Sequence, residues 1–200
     1  PAYACFIDVK KKQAFDRVWR NGLWKRLAEE GIKGKVWRAI RTIFSKVQST
    51  VLTGMGQANW FDIDTGLRLG CVLSPVLFAI FINGLAKEIT NMNKGVKIAN
   101  TDVSLLLYAD DIVLMSESRE ALQDMMNTLS EYSKWRFELN QKKSEVVIFG
   151  TPRAKKKAWW LAGKEVKQVL QYKYLGIELT RHLKWYRYKK RILEKARKRM

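Results

Sequence analysis

Hydrophobic and polar positions along the chain predict strands and helices in irregular alternation. The first segment, ACFIDV, alternates as a strand does, so Asp8 shares a face with Ala4 and Phe6. Apolar residues at helical spacing then predict a helix in AFDRVWRNGLWKRLAEEG that ends at Gly31. A second helix is predicted for KVWRAIRTIFSKV.

The rest of the chain adds hairpins, two more central helices and a basic C-terminal helix. In the first of these central helices, Ser74 can cap the first amides while Pro75 takes the first helical position. The predicted segments are short strands in STVLT and NWFDIDTG, helices in GCVLSPVLFAIFINGLAKEI and REALQDMMNTLSEYSKW, strands on both sides of YADD, a strand in EVVIFG, and a paired stretch in VLQYKYLGIEL.

This order of elements favours one fold class. Hairpins among irregularly alternating strands and helices are typical of an α+β fold, with an antiparallel sheet and helices on one face, rather than a doubly wound fold. Pro, basic residues and two tryptophans cluster in TPRAKKKAWW, which predicts a linker at residues 151–160. We interpret Trp159 and Trp160 as a core or interdomain contact in preference to a base-stacking platform.

Two adjacent acids, Asp110 and Asp111, stand between apolar runs that read as buried strands. A tight turn would explain them, because Asp tolerates turn geometry. A buried carboxylate otherwise requires a partner or a metal. If the first strand lies beside this hairpin, Asp8 joins the two acids, and hard ions such as Mg²⁺ suit such a cluster. Two ions about 4 Å apart serve in-line displacement at phosphorus, in polymerases and in nucleases alike.

The net charge of the chain indicates which class of molecule it binds. Hydrophobic residues make up 47% of the 200-residue chain, which allows a packed core, and the formal net charge is +19. Such an excess indicates a polyanion, either nucleic acid or an anionic membrane surface. The segment RHLKWYRYKKRILEKARKRM predicts an amphipathic basic helix, which suits contact with phosphates better than a membrane surface. No apolar run is long enough to span a membrane.

Other composition signals are weaker. The first residues lack the features of a signal peptide, and Pro1 lies inside an expected core strand, so we expect a piece of a longer polypeptide. Cys5 and Cys71 lie in apolar surroundings, which favours two buried thiols in a reducing compartment over a disulfide. The single histidine, His182, cannot form a Cys/His zinc site and receives no role.

Five segments in order resemble the motifs of reverse transcriptases, in the style of non-LTR retrotransposon enzymes. A lone YADD match would be weak, whereas five ordered motifs are specific. The segments are FIDVKKKQAFDRVW (6–19), TGLRLGCVLSPVLFAIFING (65–84), YADD (108–111), FELNQKKSEVVIFG (137–150) and YKYLGIEL (172–179).

The resemblance implies a right-hand polymerase with a palm at residues 1–150, a linker and primer-grip hairpin at 151–179, and the start of a basic thumb helix at 180–200. The fingers would be largely absent. It implies RNA-directed DNA synthesis on an RNA template and DNA primer, with dNTP substrates, in the cytoplasm and nucleus. Two Mg²⁺ ions, with Mn²⁺ as the alternative, would be held by Asp8, Asp110 and Asp111.

The resemblance also implies roles for other residues. Lys143 would approach the pyrophosphate as a proton donor, and Phe15 would lie under the sugar and exclude a 2′-hydroxyl. The remaining expected contacts are Arg68 and Gly70 with the nascent base pair, and Tyr108, Tyr174, Leu175, Gly176, Lys189, Lys190 and Arg191 with nucleic acid. The missing fingers and other domains of the parent polyprotein are expected partners, and no membrane is expected.

Two departures from the family pattern bear on activity. The family usually reads D-x-x-x-A-F-D, but Phe15 lies seven residues after Asp8, which suggests two extra residues in KKKQ. An insertion of two preserves strand parity, so a bulge at Lys11 and Lys12 would keep Asp8 in place. Leu69 stands where the family has Gln, and leucine cannot supply the hydrogen bonds of an amide.

Three functions follow as hypotheses. The first is an active RNA-directed DNA polymerase fragment. The second is a decayed, catalytically inactive copy that only binds nucleic acid. The third, an RNA-templated RNA polymerase, is disfavoured by Phe15.

Overall fold

The computed structural model describes residues 1–9, 15–109, 111–135, 138–150 and 158–197. The chain divides into two compact units. One comprises residues 1–9, 88–131 and 139–200, and the other comprises residues 10–87 and 132–138.

The elements follow the irregular alternation that the sequence predicts. In chain order they are β1 (Ala2–Asp8), α1 (Arg20–Glu29), α2 (Gly34–Ser45), β2 (Gln48–Ser49), β3 (Leu52–Thr53), β4 (Gly56–Gln57), β5 (Phe61–Asp62), α3 (Ser74–Asn91), β6 (Val96–Ile98), β7 (Thr101–Val103), β8 (Leu105–Tyr108), β9 (Asp111–Ser116), α4 (Arg119–Tyr132), β10 (Glu145–Phe149), β11 (Trp159–Leu161), β12 (Lys164–Val169), β13 (Gln171–Tyr174), β14 (Ile177–Thr180) and α5 (Tyr186–Arg197).

A six-stranded sheet forms the centre of the first unit, in the order β11-β12-β10-β1-β9-β8. The predicted α+β class is confirmed, and β1 lies beside the β8–β9 hairpin as the carboxylate hypothesis requires. The sheet is antiparallel except for β10 and β12, which pair in parallel. The predicted antiparallel sheet is thus confirmed as mostly antiparallel, with one parallel junction that the sequence did not predict.

One face of the sheet is covered by the β13–β14 hairpin. On this face, the sheet residues Ala4, Phe6, Val113 and Val147 form a buried core. Partly buried residues that include Tyr172 and Tyr174 of the hairpin pack against it. The four residues predicted to be buried on the helix REALQDMMNTLSEYSKW are fully inaccessible: Leu122, Met125, Met126 and Leu129. Side chains of this helix, α4, bond to the β11 region, where Gln123 donates to the carbonyl of Trp160.

The second unit contains α1, α2, the short strands β2 to β5 and most of α3. The first helix begins at Arg20, later than the sequence predicts, because the backbone before it bonds elsewhere. The carbonyls of Phe15 and Val18 accept from Leu67 and Gly66. The Ser74 hydroxyl, predicted to cap α3, instead donates to the carbonyl of Arg68 at 2.6 Å.

Several smaller expectations changed in the structure. Cys5 is buried, but Cys71 is only partly buried, so the prediction of two buried thiols is wrong for Cys71. Trp159 is inaccessible and supports the core interpretation, whereas Trp160 is 50% exposed. The predicted linker falls mostly on residues 151–157, outside the described residues. The proposed domain boundaries at 150 and 179 stay predictions.

Candidate active site

Asp8 and Asp111 lie directly opposite each other in the antiparallel pair of β1 and β9. Opposite residues in such a pair point to the same face, with Cβ atoms about 5 Å apart. Asp8 is 4% exposed. Asp110, the third predicted metal ligand, lies outside the described residues. The sheet therefore brings two of the three predicted carboxylates together.

The surroundings of the Asp8 carboxylate are incomplete in a way that suits a cation. Its Oδ2 accepts a hydrogen bond of 3.2 Å from the Asn140 side-chain amide. Its Oδ1 is buried and has no hydrogen-bond partner among the described residues. A buried carboxylate oxygen without a partner is costly unless a cation binds it. Oxygen donors of this kind are those that Mg²⁺ prefers, so the residues fit the metal that the sequence suggests.

The loop before β10 wraps around Asp8. The backbone N–H of Asn140 donates to the carbonyl of Asp8 at 2.9 Å, and Leu139 forms an isolated bridge with Val9. The ammonium of Lys143 lies 3.8 Å from Oδ2 of Asp8, on a side chain that is 66% exposed. Lys143 thus lies beside the Asp8 carboxylate, and its role as a proton donor stays a prediction.

Sequence reasoning missed Asn140. The motif FELNQKKSEVVIFG drew attention to its lysine, and Asn140 stands three residues earlier in the same segment. Its contact with Asp8 depends on the turn in which Lys143 and Ser144 both donate backbone N–H groups to the Asn140 carbonyl. A polar residue just before a predicted strand was the only available signal.

Two tyrosines of the β13–β14 hairpin approach this face. The ring of Tyr172 stacks on Phe6 with centroids 4.4 Å apart, and the ring of Tyr174 lies 5.6 Å from Phe6. Burial, followed by the nearby charges of Asp111 and Asp8, raises the pKa of Tyr172 to about 12. Burial and Asp111 also raise the pKa of Tyr174. Both phenols therefore stay protonated at neutral pH and can donate hydrogen bonds.

The tip of the hairpin carries Leu175 and Gly176, which both adopt the left-handed conformation, with φ of 46° and 84°. Leu175 is 47% exposed. Arg191 of α5 donates to the carbonyl of Gly176 at 2.9 Å and lies 3.8 Å from a carboxylate oxygen of Glu178.

The other residues of this unit that are predicted to contact nucleic acid have exposed side chains. Lys189 and Lys190 are exposed on α5. Tyr108 is 62% exposed at the end of β8. The adjacent Ala109 is a turn residue with a φ of 52°.

The predicted nucleotide contacts Phe15, Arg68 and Gly70 belong to the second unit. Phe15 stacks on Phe78 with centroids 4.7 Å apart. Arg68 is exposed and donates to the carbonyl of Lys46 at 3.5 Å. Gly70 is exposed with a φ of 79°, and Leu69 is 76% exposed. Arg68, Leu69 and Gly70 thus form an accessible stretch of the loop.

No group of three or more His, Cys, Asp or Glu side chains suited to a metal ion occurs within the described ranges. The predicted trio includes Asp110, which those ranges omit. In the same part of the chain, no helix is long and apolar enough to cross a membrane.

Opposed acids on a mixed α+β sheet, flanked by a hairpin and a basic helix, define the polymerase palm class. Residues 1–179 match the reverse transcriptase (RNA-dependent DNA polymerase) family. The chain belongs to that family, and the resemblance given by the five motifs is confirmed.

The chain is also similar to curated proteins that are named after mobile elements. The RNA-directed DNA polymerase from mobile element jockey of Drosophila funebris is 28% identical over 194 residues, covering 94% of this chain and 20% of that protein. The Pol polyprotein from the type-2 retrotransposable element R2DM of Drosophila melanogaster is 30% identical over 190 residues, covering 89% and 18%. The chain spans about a fifth of the length of these curated relatives.

A solved structure supports the fold. Apo telomerase from Candida tropicalis, truncated from its C-terminal domain, matches with a TM-score of 0.67 at 16% identity. The match covers 90% of this chain and 34% of that one.

Proposed function

We propose that this chain is the palm and thumb-start portion of a retrotransposon reverse transcriptase, which adds dNTPs to a DNA primer on an RNA template. The observation that carries the proposal is the buried Asp8 carboxylate, which faces Asp111 across two paired strands and has a partnerless oxygen. The rest of the reverse transcriptase, including its fingers, would come from the longer polyprotein, acting in the cytoplasm and nucleus.

Asp8, Asp110 and Asp111 would hold Mg²⁺, or Mn²⁺ in its place. When bound, two such ions activate the attacking hydroxyl and neutralise charge on the transferring phosphoryl group. Asn140 orients the Asp8 carboxylate through its hydrogen bond to Oδ2. Lys143 lies close enough to this carboxylate to act beside it, and we assign it the proton for the leaving pyrophosphate.

The hairpin and α5 supply the primer contacts in this proposal. Leu175 and Gly176 would support the primer end, while Lys189 and Lys190 neutralise backbone phosphates. Tyr108 would contact the primer end from the YADD side. Arg68 and Gly70 would border the nascent base pair, and Phe15 would select the deoxyribose.

The second candidate is a decayed copy that binds nucleic acid without catalysis. Leu69 favours it, because this side chain is 76% exposed in the loop where the family has Gln, and its alkyl group forms no hydrogen bond. The lengthened KKKQ segment also favours it, although residues 10–14 lie outside the described residues. Asp8 nevertheless keeps its place opposite Asp111.

Single-nucleotide extension of a DNA primer on an RNA template with Mg²⁺ separates the candidates. Extension by the parent chain that is lost in Asp110→Asn, with primer–template affinity unchanged, supports the polymerase. Binding without extension, once the fingers of the longer polyprotein are restored, supports the decayed copy, and extension recovered by Leu69→Gln would identify the lost amide as the cause. Preferential incorporation of rNTPs over dNTPs would instead indicate an RNA polymerase.

A further inference from the structure

Arg20 is a nearly buried arginine near the start of α1 that the motif analysis gave no role. It is 8% exposed. Its guanidinium donates to the carbonyls of Gly66 at 2.9 Å and of Phe44 and Ile63 at 2.8 Å each. A fourth bond of 3.2 Å reaches the carbonyl of Thr65. One side chain thus binds three backbone positions of the loop between β5 and α3, and the C-terminal turn of α2.

A buried guanidinium is retained only where its donors are satisfied, because desolvation disfavours the charged form. Burial lowers the pKa of Arg20, while Asp64 opposes that shift and Arg68 adds to it. Four carbonyls in a fixed fork suit the planar guanidinium and suit no other side chain. Arg20 therefore holds the loop at residues 63–66 in one conformation.

The loop that Arg20 binds also forms backbone hydrogen bonds with the segment that carries Phe15. The N–H of Leu67 donates to the carbonyl of Phe15 at 2.7 Å, and the N–H of Gly66 donates to the carbonyl of Val18 at 3.0 Å. Gly66 has a φ of 81°, and a Cβ there would lie 2.4 Å from the backbone oxygen of Asp16. The two segments are therefore in direct backbone contact.

The same loop continues into the predicted base-pair contacts. Arg68 and Leu69 follow immediately after the bonded residues, and a cavity of about 570 Å³ is lined by residues that include Arg20, Thr65, Leu67, Arg68 and Leu69. Displacement of the loop would thus move Phe15 and Arg68 relative to each other.

We infer that Arg20 is a positioning residue for sugar selection, which acts by fixing the Phe15 backbone against the loop that leads to Arg68. The inference rests on the proposed polymerase function. Arg20 itself touches no substrate in this account. Its effect is on the geometry of the residue that meets the sugar.

The test compares Arg20→Met and Arg20→Lys with the parent chain. Methionine keeps much of the length but removes the donors, whereas lysine keeps the charge and cannot form the fork. Arg38→Lys is the matched control, because Arg38 is an exposed arginine on α2. Thermal melting identifies variants that fold, and Arg20→Lys provides the milder change if Arg20→Met does not.

Two measurements are made on the folded variants. Hydrogen exchange at the amides of Gly66 and Leu67 should accelerate at least tenfold in the Arg20 variants and stay unchanged in Arg38→Lys. The ratio of kcat/KM for dNTP to that for rNTP should fall about tenfold, since small misplacements of a positioning group have effects of that order. The Kd for primer–template should not change.

The outcomes separate this inference from the proposed function. Unchanged exchange at Gly66 and Leu67 overturns the inference, whatever the activity. Faster exchange with an unchanged sugar ratio in an active parent also overturns it. An equal loss of activity with both nucleotides would assign Arg20 a general structural role and overturn it too. If the parent extends no primer even with the fingers of the longer polyprotein restored, the proposed function fails, and with it the sugar-selection part, while the exchange data still decide whether Arg20 holds the loop.

Discussion

Glu145 occupies an unusual position for a carboxylate, opposite Phe6 in the central sheet. Burial raises its pKa, and the nearby Lys167 only partly opposes that rise. A raised pKa in the folded state means that folding favours the protonated form. The contribution of Glu145 to stability is therefore fully present below its unfolded pKa and is lost as the pH rises through its folded pKa.

Replacement of Glu145 by glutamine should stabilise the fold at pH 7, because the amide avoids the desolvation of a charge. The gain should shrink as the pH falls from 7 through the raised pKa of the folded state and be absent well below the ordinary pKa of 4.5, where the carboxyl is protonated in both states. Urea unfolding at pH 7 and at that lower pH measures it. Glu165→Gln, an exposed position on β12, serves as control, and equal stability of Glu145→Gln and parent at pH 7 would contradict the prediction.

The sequence identified residues whose chemistry is unusual for their position, and missed those whose role depends on tertiary contact. Asp8 could be identified because an acid interrupts an apolar strand. Asn140 and Arg20 could not, because an asparagine before a strand and an arginine on a helix are common. Their contacts, of Asn140 with Asp8 and of Arg20 with three loop carbonyls and one carbonyl of α2, exist only once distant segments meet.

At the scale of elements, the β13–β14 hairpin combines strain at its tip with anchoring at its base. Two consecutive residues with positive φ are typical of a type I′ turn, in which Asn-Gly is the favoured pair. At the first position of this turn, leucine lowers the free energy of unfolding by about 1 kcal/mol relative to asparagine. The backbone at Leu175 is therefore strained, although its side chain is half exposed. Backbone strain of this kind is common at functional sites.

Leu175→Asn should therefore raise the free energy of unfolding by about 1 kcal/mol and weaken primer use. We expect a higher KM for primer–template and little change in KM for dNTP, because the lost apolar contact belongs to the primer. Gly176→Ala is the comparison, since its φ of 84° strains any side chain and should lower stability. A Leu175→Asn variant with unchanged primer KM would remove Leu175 from the primer site.

Elements were predicted best where a single periodicity dominates. The strand in EVVIFG and the buried face of α4 followed directly from their patterns. The helix predicted from residue 14 failed before Arg20, because helical spacing cannot show that the carbonyls of Phe15 and Val18 bond to a distant loop. The parallel pairing of β12 with β10 could not be predicted either, because no local signal in the sequence determines which strands pair.

Across the whole molecule, a net charge of +19 accompanies the local pair of opposed carboxylates, Asp8 and Asp111. Such a distribution suits a polyanion held by its backbone and processed at a metal site. Lys189→Ala with Lys190→Ala should reduce the slope of log K against log salt by about 2, since each phosphate contact contributes about 0.9. Fluorescence anisotropy with a primer–template duplex measures the slope.

The matched control is Lys87→Ala with Lys94→Ala, which changes the net charge equally. Both lysines already pair with carboxylates, at 2.5 Å each. Their loss should leave the slope nearly unchanged. Equal reductions in the two double variants would show that net charge, rather than α5, determines the binding.

The most direct test of the account is whether Mg²⁺ stabilises the fold through Asp8. Ligand binding to the folded state alone adds about 2.7 kcal/mol at a hundredfold excess over Kd. The parent chain and Asp124→Asn, an exposed carboxylate variant of the same unit, should melt at higher temperature as Mg²⁺ is added, and Asp8→Asn should not respond. An equal Mg²⁺ response in Asp8→Asn, or none in the parent, would contradict a metal site at Asp8 and Asp111.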